Sequence, residues 1–430
     1  MCPRIAFITI VLFSLNATVS GQVADYDTID DVIRSENEHT FEQWLSSKAL
    51  NSQTFSDEIY RVPMVVHVLN QGEPVGEGTN ISYEQIFSQI RVLNEDFRRK
   101  EGTRGFNTNP DGGDARIEFV LAKTSPDGLA TDGIVRVDIN SKEPPPFGGM
   151  IALGAYYSIW DPNDYFNIWV LPAPIDILLG QARFPVSDLP GLEGENDFII
   201  PGIDTLNGIP VEQIDGIAIN TYHFGETNLN SKYNLGRTGI HEIGHFLGLF
   251  HIWGSGAEGS CVADDYCDDT PPTNSRTGGC PDNKLACDGS RAMIENYMDY
   301  TDDECMNIFT NDQILRMRTV LENSPRRKSL LTSKGLFPPD NNGVTGKHKN
   351  DINVYPNPAG NHIFIEFSEP VAGKLELDFY DLSGMLIRKL NCYGSSQSIM
   401  SVDIPDYKGH AMIIKIITED DVITKKIFCY

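Results

Sequence analysis

The sequence predicts an α+β protein: a sheet covered by helices, an irregular cysteine-rich segment, and a small β-sandwich at the end. Three observations carry this. Apolar, β-branched runs and a helical pattern intermix in the first half, which implies a sheet covered by helices. Residues 254–295 are rich in Gly, Asp and Cys and show little periodicity, as a long stapled loop does. Short strand-like runs then recur at regular spacing toward the C-terminus.

The elements follow in order. Arg4 precedes an apolar stretch, residues 5–15, that is too short to span a bilayer, and the small residues of "TVSGQ" follow it. Residues 1–21 therefore read as a secretory signal. Residues 22–57 are polar and acidic and read as a pro-segment with one short helix. "YRVPMVVHVL" is a buried strand. "SYEQIFSQIRVLNEDFRRK" places Ile86, Ile90, Leu93 and Phe97 at helical spacing behind Ser82 as N-cap. "RIEFVLAK", "YFNIWVLP", "GQARFP" and "DGIAINT" read as strands. "TNDQILRMRTVL" restores a helix capped by Thr310. "SPRRKSLLTSKGLFPPDNNGVTGKHKN" has the Pro, Gly, Lys and Asn content of a linker. Six strand-like runs from "INVYPNP" to "VITKKIFC" complete the sandwich. The expected plan is 1–21 signal, 22–57 pro-segment, 58–325 main domain, 326–350 linker and 351–430 sandwich.

With 430 residues, of which 40% are hydrophobic, the chain has core enough for such domains. Its formal charge of -26 argues against nucleic acid or anionic lipid as a partner, because an acidic surface repels phosphate. No other stretch reaches ~18 apolar residues, so no membrane span is expected. Export permits disulfides among the eight cysteines. Cys261, Cys267, Cys280, Cys287 and Cys305 form an odd cluster, which leaves at least one thiol free. The Cys-x5-Cys and Cys-x6-Cys spacings are longer than the pairs zinc ribbons use. Cys392 and Cys429 remain as a further possible pair.

The stretch that carries chemistry is "TGIHEIGHFLGLFHIW". On a helix His241 and His245 project from one face a turn apart, where both present ring nitrogens to one ion. Glu242 is placed to reach a water bound there and to act as a general base. His251 lies six residues beyond His245, where a continuing helix would carry it away. Gly248 resolves this, because glycine readily ends a helix in a left-handed cap and lets the chain swing back. Three histidines and a water make the open tetrahedral zinc site that catalysis needs. The five fixed positions of H-E-x-x-H-x-x-G-x-x-H make a purely structural helix a poor account. Downstream, "ENYMDYTDDECM" supplies a methionine turn, with Met298 as a floor beneath the histidines and Tyr300 as an oxyanion donor.

Through these motifs the chain resembles the pappalysin family of metzincin metallopeptidases, of the bacterial, ulilysin-like kind. The resemblance spans residues 58–322 and rests on "MVVHVL", "QIRVLNEDF", "HEIGHFLGLFH", "DDTPP", "GGCP", "NYMDYTDDECM" and "FTNDQILRM". It implies a secreted zinc endopeptidase acting on peptide or protein substrates, with a cleft between a subdomain built on a twisted mixed sheet with backing helices and an irregular, disulfide-stapled one. It implies disulfides Cys261–Cys287 and Cys280–Cys305, which leaves Cys267 as the extra thiol. It implies structural calcium near Asp265, Asp268 and Thr270. It implies a preference for arginine just after the scissile bond, through Asp303, with Asp302 as the neighbouring competitor. The strand containing Ala182 and Arg183 would pair with an extended substrate. Some relatives are kept latent by a pro-segment cysteine. Residues 22–57 contain none, so an Asp, a Glu or His39 would have to serve.

The C-terminal domain resembles the sorting domain read by type IX secretion machinery, through "INVYPNPAGNHIFIEF" and "FYDLSGMLIRK". The competing reading of the whole is a secreted adhesin or binding protein with a structural metal site. Glu242 argues against it, since a structural site needs no base.

Overall fold

The computed structural model describes residues 31–49, 57–129, 131–145, 147–173, 178–188, 200, 202–229, 231–254, 259, 261–337, 339, 352–355, 359, 362–367, 373–382, 384–393, 399–404, 410–418 and 422–429. The expected signal 1–21, residues 22–30 and 50–56 of the expected pro-segment, and residues 338 and 340–350 of the expected linker lie outside the described residues.

The chain begins with helix α1 (Asp31–Ala49), longer than the short helix expected there. The buried run follows as β1 (Tyr60–Asn70), in which Arg61 alone is exposed. Helix α2 (Tyr83–Asp96) starts at Ser82, whose side chain accepts from the backbone N–H of Gln85. Then come β2 (Ile117–Leu121), β3 (Ile134–Asp138), α3 (Met150–Tyr157), β4 (Phe166–Leu171) and β5 (Gly180–Ala182). A two-strand ribbon, β6 (Thr205–Leu206) and β7 (Ile209–Pro210), precedes β8 (Ile217–Asn220). Helices α4 (Arg237–Phe246) and α5 (Asn311–Asn323) complete the first domain.

The sheet has the order β2-β1-β4-β8-β5, with β3 also on β1. β1 pairs in parallel with β2 along its first half, with β3 along its second half, and with β4. β4 and β8 are parallel, and the terminal strand β5 runs antiparallel to β8. Alternation along β1 separates two faces. Val62, Met64, Val66 and Val68 pack with Ile86 and Leu93 of α2 and with Ile240 and Ile243 of α4. Leu69 packs on the other face with Trp169, Ala218 and α3. Helix α3 lies directly on Trp169: a Cβ at Gly154 would meet the indole at 2.3 Å. Neither α3 nor β3 was expected. "MIALGAYY" is apolar on all sides, so it carries no helical periodicity to read.

Residues 261–295 form no helix or strand among the described residues and are stapled by Cys261–Cys287 and Cys280–Cys305. Cys267 is a buried free thiol, and burial raises its pKa far above the usual range. Cys392 and Cys429 are not bonded to each other.

The expected linker start is corrected. Residues 326–337 fold onto the first domain in two short 3-10 turns, with Arg327 and Leu330 buried. Arg327 is accommodated because Asp215 receives it in a fork, Nη1–Oδ2 2.7 Å and Nη2–Oδ1 3.0 Å.

The last domain is the expected sandwich. One sheet has β9 (Ile352–Tyr355), β10 (His362–Phe367) and β13 (Ile399–Asp403). The other has β11 (Lys374–Asp381), β12 (Leu386–Tyr393), β14 (Ala411–Ile417) and β15 (Val422–Phe428). Ile363, Ile365, Leu377, Phe379, Ile414 and Ile416 fill its core. No described helix is long and apolar enough to cross a membrane.

Candidate active site

Helix α4 ends where the motif requires. Leu247 is its C-cap, and Gly248 follows at φ 90°. The N–H of Gly248 donates to the carbonyl of His245, and that of Leu249 to the carbonyl of Gly244, both at 2.9 Å. This paired closure of a helix end depends on a left-handed residue, which glycine adopts without penalty. The chain then reverses and returns His251 to the face that bears His241 and His245.

The three rings converge. Nε2 of His245 lies 3.1 Å from that of His241 and 3.1 Å from that of His251, and the third edge is 3.3 Å. Nδ1 of His241 lies 2.7 Å from the carbonyl of Tyr297, and Nδ1 of His245 lies 2.8 Å from the carbonyl of Leu249. A carbonyl only accepts, so both Nδ1 atoms carry the proton and both Nε2 atoms face inward with bare lone pairs. With Nε2 of His241 and of His245 as acceptors, the triangle offers ring lone pairs to a cation. A tetrahedral zinc with bonds of ~2.0–2.1 Å sets its nitrogens ~3.3–3.4 Å apart, so the residues present fit the ion. Among the described residues, these are the His, Cys, Asp and Glu side chains grouped closely enough to hold a metal. The ring of His251 also stacks on Trp253, with centroids 4.3 Å apart and planes 11° apart.

Glu242 is buried on α4 and lies against Gly180 of β5. Met298 is fully buried beneath the helix. A Cβ at Gly244 would sit 2.3 Å from its Sδ, which explains the glycine between the two helical histidines. Asn296 fixes this turn by accepting from the N–H of Met298 at 2.9 Å. Its amide also pairs reciprocally with Gln313, the residue that completes the capping box of α5. The ring of Tyr300 lies 5.4 Å from His241 and 4.9 Å from His251. Asp299 accepts from the N–H groups of Thr277 and Tyr300, which ties the stapled segment to the site.

Asp303 is buried at the start of α4, a turn before His241. Its Oδ2 accepts from the N–H of Leu235 at 2.8 Å and of Arg237 at 3.2 Å. Burial raises its pKa to about 6 against the opposing effect of those donors. Asp302 is paired with Lys232 at 3.3 Å. Ala182 closes β5 opposite Ile217, and Arg183 follows, its N–H donating to Gly216 at 3.0 Å. Of the expected calcium group, Thr270 donates to both carboxylate oxygens of Asp265, at 2.7 and 2.9 Å, whereas Asp268 is exposed. Burial raises the pKa of Asp265 to about 7. His39 is exposed on α1 and pairs with Gln43, so it is not brought to the three histidines.

Sequence reasoning missed two arginines that cap the carbonyls at the end of α4. Arg316 donates to Gly248 at 2.5 Å, and Arg327 to Phe246 at 2.8 Å. Arg327 also donates to the carbonyl of Arg183 at 3.1 Å, which links the helix end to the tail of β5. The basic residues after α5 were a signal, but their burial depends on Asp215, distant in sequence.

Residues 204–322 match the family described as pregnancy-associated plasma protein-A, and residues 353–429 match the secretion system C-terminal sorting domain. An extracellular metalloprotease of Arthroderma otae is 31% identical over 255 residues, covering 59% of this chain and 74% of that protein. One from Verticillium alfalfae is 48% identical over 265 residues, covering 61% and 77%. A mutant promirolysin of Tannerella forsythia is similar in structure, with TM-score 0.57 and 31% identity over 72% of this chain and 94% of that one. Mature mirolysin in complex with a cleaved peptide gives TM-score 0.52 and 34% identity over 64% and 97%. This chain belongs to the pregnancy-associated plasma protein-A family and is a secreted metalloendopeptidase that ends in a secretion sorting domain.

Proposed function

We propose that the chain is a zinc endopeptidase in which His241, His245 and His251 hold the metal and Glu242 is general base and then acid. The observation that carries this reading is the Nε2 triangle with edges of 3.1, 3.1 and 3.3 Å, oriented by two backbone carbonyls. Zinc bound there supplies a Lewis acid and lowers the pKa of a water from ~15.7 to about 7. Glu242 takes the proton of the attacking water and delivers it to the leaving amine. Tyr300 donates its hydroxyl hydrogen to the scissile carbonyl oxygen as negative charge develops. β5 pairs its backbone through Ala182 and Arg183 with an extended substrate, a role suited to a terminal strand. Asp303 receives the guanidinium of an arginine just after the scissile bond, a charge-assisted contact strengthened by its burial.

Two further assignments accompany this. Calcium binds at Asp265, Asp268 and Thr270, a reading supported by the oxygen atoms that Asp265 and Thr270 hold inside the stapled segment, with Asp268 at its surface. Residues 1–21 direct export, residues 22–57 are a pro-segment, and residues 351–430 engage type IX secretion machinery. The test is hydrolysis of a quenched peptide library with cleavage sites read by mass spectrometry. The reading expects metal-dependent cleavage before arginine, abolished by a chelator and restored by zinc. An absence of hydrolysis by the zinc-loaded chain would favour a binding protein instead.

A further inference from the structure

Glu42 and Arg316 form a buried ion pair that takes no part in peptide hydrolysis. Arg316 lies within α5, and three of its nitrogens are committed. Nε donates to the carbonyl of Gly248 at 2.5 Å, Nη1 to Oε2 of Glu42 at 2.5 Å, and Nη2 to Oε1 of Glu42. Gly248 is where the chain leaves α4 and turns toward His251. Its carbonyl lies just past the C-cap Leu247, so Arg316 holds the turn itself. One guanidinium thus joins the turn that presents the third histidine to a carboxylate on α1, 274 residues away in sequence.

The pair is internal. Glu42 is 7% exposed and Arg316 is 6% exposed. Burial pulls the Arg316 guanidinium down, and the hydrogen bonds and charge of Glu42 more than offset it. Removing Glu42 would take from this buried cation its hydrogen-bonded carboxylate and leave only the weaker attraction of Asp265, an unfavourable state.

Phe41, Trp44 and Leu45 of α1 pack with Val320 of α5, and other contacts of α1 fall on two segments next to the site. Phe41 meets Phe184 edge-on at 6.0 Å, and Phe184 packs on Phe250 at 4.8 Å. Nε1 of Trp44 donates to Asp188 at 2.6 Å. Phe184 and Asp188 follow β5, and Phe250 immediately precedes His251. α1 therefore bridges the tail of the edge strand and the turn to the third histidine.

We propose that α1 is a docked clamp on this turn, so that α1 docking and metal binding reinforce each other through Glu42, Arg316 and Gly248. The proposal rests on the reading of the three histidines as the metal site. Each event holds the turn in the shape the other needs, and linkage makes the two effects equal in size. A chain cut between α1 and β1 then keeps α1 as a non-covalent partner while metal is bound, and releases it when metal is removed.

The test uses the full chain with a specific protease sequence placed within residues 50–56. After cutting, size-exclusion chromatography with zinc or with chelator reports whether the N-terminal fragment co-elutes. In parallel, zinc release into a coloured chelator is timed for the uncut wild type, Glu42→Gln and Trp44→Ala, well below their unfolding temperatures. The fragment is expected to co-elute with zinc and to leave with chelator. Both variants are expected to release zinc about tenfold faster, within the usual range of coupling between sites. A merely structural effect lowers the melting temperature without changing zinc release from the folded protein. Zinc-independent co-elution, or release within about twofold of wild type, overturns the coupling. Trp44→Ala leaves the Arg316 contacts in place and carries the test if Glu42→Gln fails to fold. A wild type that binds no zinc overturns the reading of the histidines, a result distinct from loss of coupling alone.

Discussion

Gly180 lies against the carboxyl group of Glu242: a Cβ on Gly180 would come 2.6 Å from Oε1 and 2.7 Å from Cδ. No side chain fits between β5 and the proposed base without moving one of them. Gly180→Ala is therefore expected to displace the carboxyl and to lower kcat about ten- to hundredfold, as small misplacements of catalytic groups do. Zinc content should remain that of the wild type. Metal analysis alongside steady-state kinetics checks this, and an unchanged kcat would remove Gly180 from the account.

Gly248→Ala probes the turn. Its φ of 90° is unfavourable for any other residue, and a Cβ would stand 3.0 Å from Val320 Cγ2 and 3.2 Å from Pro185 Cγ. The expected cost is about 1–3 kcal/mol. Thermal unfolding should show a lower midpoint, and zinc should be retained less well because His251 follows the turn. Wild-type melting and metal retention together would contradict this.

Tyr300→Phe removes only a hydroxyl. The ring contacts with His251 and Trp253 remain, at 4.9 and 5.0 Å. A loss of about a hundredfold in kcat with little change in KM is expected for a group that donates only as the transition state forms. A change confined to KM would instead make Tyr300 a ground-state binding residue.

Asp303 links pH to both specificity and stability. Its folded pKa is about 6, above the ordinary 3.8. Between these values the folded state holds a proton that the unfolded chain has released, so this group's contribution to stability falls as pH rises. Asp303→Asn should gain relative to wild type across that window, by at most about 3 kcal/mol. His223 and Arg237 oppose the shift, and the charges of Asp303 and Asp96, the carboxylate paired with Arg237, repel each other. Preference for arginine over alanine after the scissile bond should grow as pH rises through about 6, because the guanidinium needs the ionised carboxylate. Competitive cleavage of paired peptides at several pH values measures this. A preference that is flat with pH, or unchanged in Asp303→Ala, would refute the assignment.

What the sequence made legible was local. The spacing of His241 and His245, the helix stop at Gly248 and the caps at Ser82 and Thr310 all depend on residues within a few positions of one another. The alternating strands of the sandwich were legible for the same reason. What stayed hidden depends on distant pairing. Arg327 reads as part of a polar linker until Asp215 neutralises it in the core. Arg316 reads as an ordinary helical arginine until α5 is laid beneath Gly248. Gly180 gives no sign in sequence that Glu242 lies across it. Helix α3 lacked a polar face because it fits between the sheet and its surroundings, with five of its residues buried.

The central claim is that three histidines hold zinc while Glu242 handles the proton. The most direct measurement is the zinc content and peptide turnover of Glu242→Ala on the same sample. The account predicts one zinc per chain, as in the wild type, with cleavage of a quenched peptide lost. A zinc-loaded Glu242→Ala that cleaves at the wild-type rate would contradict it.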